Sequence, residues 1–224
     1  MTNFLGQLKR RTPLGWLQLN HDRGRLLVAI SGIAFADLLM FVQLGFQNSL
    51  YDSNTRIDRA MLADIVLASP KALNFQNLST FSRRRLFQAM DTPGVQTAGA
   101  LYVNIITWKN PQTQLSAPVQ VVGFDPDRPA FNLPEVNQQL NKIKLPDVVL
   151  FDRGARGKYT EVIAKLDRGQ TVTAEVDRRT LTIAGLFRLG ASFGADSSLM
   201  TSDRTFLRLF PRRDAASVSP IRFG

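Results

Sequence analysis

Residues 26–46 read LLVAISGIAFADLLMFVQLGF, and sixteen of these 21 residues are apolar. The exceptions are Ser31, Gly32, Asp37, Gln43 and Gly45. As a helix rising ~1.5 Å per residue the run reaches roughly 32 Å, close to the ~30 Å hydrocarbon layer of a bilayer. Asp37 opposes insertion by ~3 kcal/mol, while the twelve Leu, Ile, Val and Phe side chains favour it by roughly 4–7 kcal/mol. A buried helix of a soluble core rarely stays apolar for so long. A cleavable signal peptide would carry a shorter apolar core and a small-x-small site, whereas this chain continues FQNSLYDS. The stretch is read as an uncleaved membrane anchor.

Flanking charge orients it. Lys9, Arg10, Arg11, Arg23 and Arg25 precede the run against Asp22 alone, while Arg56 and Arg59 after it are balanced by Asp52 and Asp58. Basic flanks stay cytoplasmic, so residues 1–25 are expected inside and the bulk of the chain outside, in the periplasm of a bacterium. At 100° per residue Ala29, Gly32, Ala36 and Gln43 share one narrow stripe, with Arg25 at its cytoplasmic end and Asp37 beside it. Small residues and an amide on one face allow close helix packing in lipid, and Asp37 is read as an assembly contact to another helix. Upstream, Thr12-Pro13 opens a short helix bearing Trp16, read with Arg23 and Arg25 as an anchor at the cytoplasmic interface.

The rest of the composition excludes much. The 224 residues hold 28 Lys+Arg, 18 Asp+Glu, one His and no Cys. No disulfide framework, thiolate nucleophile or cysteine metal site can be built, and His21 has no second imidazole to work with. The net charge of +10 would suit anionic lipid or an acidic partner. Nucleic acid is not expected, because the Arg clusters are not interleaved with aromatics and the chain is anchored.

Beyond residue 47 the patterning is α+β. A strand is expected over Asp64–Ser69, then a helix from Ser79 or Thr80 to Met90 ended by Pro93-Gly94. Val95–Trp108 and Leu115–Phe124 read as strands around an Asn110-Pro111 turn, giving a β-α-β-β order. A short helix near Pro134–Leu140 follows. Strands are then expected at Val148–Phe151, Thr171–Val176, Thr180–Phe187 and Ser198–Thr201, before a last helix capped by Ser202 and ended by Pro211. Gly154–Lys158 is not a phosphate loop: Asp152 stands where the first glycine belongs, and Tyr159 where Ser or Thr should hold magnesium. Arg83–Arg85 reads as a solvated face and Asp125-Pro126-Asp127 as a turn. No catalytic residue, cofactor site or metal site is expected, and the chain is not read as an enzyme.

The run from Pro13 to Ser53, PLGWLQLNHDRGRLLVAISGIAFADLLMFVQLGFQNSLYDS, resembles the start of the cyanobacterial DevC-type permeases, relatives of MacB among the FtsX-like ABC exporters. VVGFDPDRPAFNLPEV, LPDVVLFDRGARGKY and LTIAGLFRLGASFGADSSLMTSDRTFLRLFP resemble the same family, so the likeness spans roughly residues 13–211. Its most specific part, GIAFADLLMFVQLGF, places Asp37 and Gln43 within the family pattern. The resemblance implies an inner-membrane permease subunit with an interfacial segment (1–25), a first span (26–46) and a MacB-like periplasmic domain (47–211) containing a βαβ porter-type part. It further implies a homodimer working with a separate ABC ATPase subunit, a membrane-fusion adaptor and an outer-membrane channel to export lipid-like or glycolipid cargo. Residues 212–224, RRDAASVSPIRFG, are read as a divergent tail lacking the returning strands and later spans, so a truncated copy or a fragment is expected. The alternative is a stand-alone single-pass protein whose exported domain binds a partner.

Overall fold

A computed structural model describes residues 21–73, 81–176, 179–211 and 218–223. The chain divides into two compact units between Tyr51 and Asp52. Among the described residues of the first unit lies helix α1 (Arg23–Ala60), whose last nine residues belong to the second unit. From Leu27 to Phe46 the large apolar side chains of α1 are 49–73% exposed. α1 is the one helix, among the described residues, long and apolar enough to cross a bilayer.

The second unit is α+β. Its elements are β1 (Ile65–Ala68), α2 (Arg84–Met90), β2 (Val95–Ala98), β3 (Leu101–Lys109), β4 (Ser116–Phe124), α3 (Pro134–Asn137) and α4 (Leu140–Ile143). Then come β5 (Val148–Asp152), α5 (Thr160–Asp167), β6 (Val172–Val176), β7 (Arg179–Phe187), β8 (Ser197–Ser202), α6 (Asp203–Leu209) and β9 (Val218–Phe223). The strands form one mixed sheet in the order β1-β9-β3-β4-β8-β5-β7-β6, with β2 also paired to β9. β4–β8 and β5–β7 are parallel, and the other ladders are antiparallel. β3 and β6 meet, so the sheet curls around a core of Trp108, Phe151, Tyr159, Leu181 and Phe206. Its other face packs Val122, Phe124, Phe131, Phe187 and Met200 against α3, α4 and Ile57 of α1.

The β1-α2-β2 unit carries the expected βαβ order. Both strands run antiparallel to β9, which lies between them, and Ile221 of β9 is buried against Leu86 and Ala98. This corrects the reading of 212–224 as a tail without domain strands: residues 218–223 are the central strand of this lobe. Pro220 concealed it, since proline disfavours a central strand. The ladder to β2 stops at Ala98↔Ile221 and resumes to β3 at Leu101↔Val218. Pro220 therefore sits opposite the Gly99-Ala100 break, where a missing N–H costs least.

Two further differences are local. Helix α5, absent from the sequence reading, is short and buries only Val162 and Leu166, one turn apart, which is too little periodicity to stand out. The expected strand Val95–Trp108 is broken at Gly99-Ala100 into β2 and β3. The reading of Ser202 as a helix cap agrees with the structure, its Oγ accepting from Thr205 N at 3.2 Å. Trp16, the Thr12-Pro13 helix and the Ser79/Thr80 cap lie outside the described residues.

Candidate functional site

Two places follow from α1. The first is the face singled out by its small residues. Ala29, Gly32, Ala36, Asp37 and Gln43 are all exposed on α1, and a Cβ added at Gly32 would meet nothing within 4 Å. Arg23 and Arg25 open the helix; Arg25 Nε lies 3.3 Å from Asp22 Oδ2, and its backbone N–H donates to Asp22 Oδ1 at 3.4 Å. Among the described residues the chain supplies nothing to cover this face. In water such a stripe would cost heavily, and in lipid it is the ordinary outer surface of a span.

The second place, inside the domain unit, was not singled out from the sequence. It is where the last turns of α1 are fastened. Ile57 is the buried residue of the helix, sunk into the core beside Phe131 and Leu189. Arg56 Nη1 donates to the Leu189 carbonyl at 3.2 Å. The chain leaving the helix is tied by Asn132 N to Ala60 O (2.7 Å) and Leu62 N to Ala130 O (2.8 Å).

Beneath Arg56 lies Asp152, the last residue of β5 and fully buried. Its Oδ1 accepts from Gly154 N at 2.8 Å and Leu189 N at 3.0 Å, and its Oδ2 from Gly190 N at 2.7 Å. The bond to Gly154, two residues on, is an Asx turn that ends the strand locally. Burial pushes the carboxyl above its ordinary value, and the three N–H bonds and the Arg56 charge pull it partly back. The fit needs glycine twice. Gly190 has φ +95°, and a Cβ there would overlap the Arg56 guanidinium. A Cβ on Gly154 would come within 2.8 Å of Gly190 Cα. Asp152 thus gathers Leu189 and Gly190 under the helix end. The available signal was Asp-x-Gly directly after an apolar strand, a turn signature in a stretch weighed only as a phosphate loop.

The remaining sequence candidates stay apart. Asp125 Oδ1 accepts from Asp127 N at 3.0 Å, a turn, and Asp127 pairs with Lys144 at 2.6 Å. Arg84 and Arg85 are exposed on α2. Among the described residues no three His, Asp or Glu side chains are grouped to hold a metal.

Neither a protein-family model nor a curated protein matches the chain. Among solved structures it is similar to the extracellular domain of the noncanonic ABC-type transporter YknZ from Gram-positive bacteria. That likeness has TM-score 0.44 and 9% identity and covers 73% of this chain and 82% of that one. It is also similar to the periplasmic region of MacB from Actinobacillus actinomycetemcomitans, with TM-score 0.44 and 11% identity, covering 71% of this chain and 73% of that one. A likeness at this level assigns neither partner nor cargo.

Proposed function

We propose that this chain is a permease subunit, or the N-terminal portion of one, in an ATP-driven exporter of the DevC type. It would lie in the inner membrane with residues 1–25 cytoplasmic, 26–46 spanning and the domain from residue 47 periplasmic. The observation that carries the reading is α1. Its apolar length is uncovered by the other described residues, and its last turns are gripped by the domain at Arg56 and Ile57. The sequence resemblance over residues 13–211 supplies the rest. A separate ABC ATPase subunit hydrolyses ATP, a second copy and further spans pack on the Ala29/Gly32/Ala36/Asp37/Gln43 face, and movement reaches the exported domain. A membrane-fusion adaptor and an outer-membrane channel then complete the route for lipid-like cargo. The permease itself performs no covalent step.

Two measurements test this. Protease added outside spheroplasts should cut beyond Tyr51 and leave the N-terminus intact; cleavage of the N-terminus instead would reverse the topology. Tagged chain extracted from native membranes should bring down an ABC ATPase subunit. Its absence, with the topology upheld, would leave a single-pass partner-binding protein as the better reading.

A further inference from the structure

A cleft of about 180 Å³ opens in the domain unit beside the Arg56 joint. Its walls are the 53–58 stretch of α1 and the loop through Leu189, Gly190 and Ser192. Its floor is the sheet. Gln120 of β4 and Ser198 of β8 are paired in register on parallel strands, so both side chains point to this one face. Gln120 is 3% exposed and Ser198 2% exposed, yet both line the cleft. Their neighbours along the same face, Val122 and Met200, belong to the apolar core, so polar side chains here replace expected core residues. The Gln120 Nε2 amide is buried and has no hydrogen-bond partner among the described residues. A buried donor left unmet is costly, and a sheet floor needs no amide for its own stability.

The surroundings narrow the ligand. Asp58 and Arg56, both exposed, bring opposite charges to the wall, and Arg56 is already engaged by the Leu189 carbonyl and the Asp152 charge. A free anion would face the Asp58 carboxylate, and a cation would face the guanidinium. An apolar guest would leave the Gln120 donor stranded. A hydroxyl group meets each need, since it accepts from Gln120 and can donate to or accept from Ser198. We propose that this cleft binds a small uncharged polyol, with Gln120 as the central donor and Ser198 as its adjustable partner. The site does not depend on the exporter role.

The test uses the full chain in micelles of a detergent without a sugar headgroup, labelled with ¹⁵N at glutamine side chains. Erythritol, a four-carbon polyol, is the probe. The Gln120 amide resonances, identified by their loss in Gln120→Leu, should shift saturably with erythritol, and at a several-fold lower concentration than with n-butanol, which offers one hydroxyl in place of four. Ser198→Ala should raise the half-saturation concentration by about three- to tenfold. Should Gln120→Leu fail to fold, as judged by tryptophan fluorescence, the near-isosteric Gln120→Glu identifies the resonances in its place and Ser198→Ala decides. A non-saturating response, an equal response to n-butanol, or an unchanged midpoint in Ser198→Ala would each overturn the site and leave an ordered solvent molecule on Gln120.

Discussion

Asp152 concentrates in one side chain what holds the end of α1. It is fully buried and accepts three backbone N–H bonds, two of them from residues 37 and 38 positions further along the chain. Asp152→Asn keeps Oδ1 for Gly154 and Leu189 but turns an NH₂ toward the Gly190 N–H, so donor meets donor. The expected cost is ~1–3 kcal/mol by urea unfolding followed on Trp108 fluorescence, with Asp152→Ala costing more because all three donors are stranded. A smaller loss for Ala than for Asn would contradict this account. Titration separates Asp152 from Asp167. Asp167 is held below the ordinary value of 3.8 mainly by its hydrogen bonds from Arg153, at 3.0 and 2.5 Å. Its contribution is therefore present above pH 3.8 and lost as pH falls through its lower folded value. Asp152 runs the other way: its folded value is raised by burial, so its contribution is greatest below pH 3.8 and declines as pH rises through the folded value. Carboxyl ¹³C titrations should place Asp152 above and Asp167 below the ordinary value; the reverse order would refute both assignments.

The informative element is β9. As an antiparallel partner to β1 on one side and to β2 and β3 on the other, it turns β1-α2-β2 into a lobe with a core of Leu86, Ala98 and Ile221. Ile221→Asp puts a carboxylate into that core and should cost ~2–5 kcal/mol. The loss should be local. Hydrogen exchange should quicken at Ile65–Ala68 and Val95–Ala98 while Val148–Asp152, in the all-buried β5, keeps its protection. Uniform loss of protection across the sheet would mean that β9 supports the whole domain. The motif read from the sequence was correct in its β-α-β order, but β9 has no local signal. Its apolar residues Val218, Ile221 and Phe223 do not alternate in one phase, it contains proline, and it meets β1 across about 150 positions of chain.

For the whole molecule the proposal rests on what surrounds α1. If Asp37 bonds to another helix in the membrane, Asp37→Leu should insert more readily yet associate less well. A lost interhelical hydrogen bond of ~0.6–2 kcal/mol corresponds to roughly three- to thirtyfold weaker assembly by in-membrane cross-linking. Unchanged assembly would remove Asp37 from the interface. The amino-acid sequence by itself determined the apolar helix, the α+β class and the bounds of most strands, because these follow from the periodicity of neighbouring side chains. Only the tertiary structure decided the sheet order, the place of β9, the three N–H groups on Asp152 and the burial of Gln120. Each of those depends on which distant segments meet, and a backbone donor or a strand edge carries no residue-specific mark of its partner.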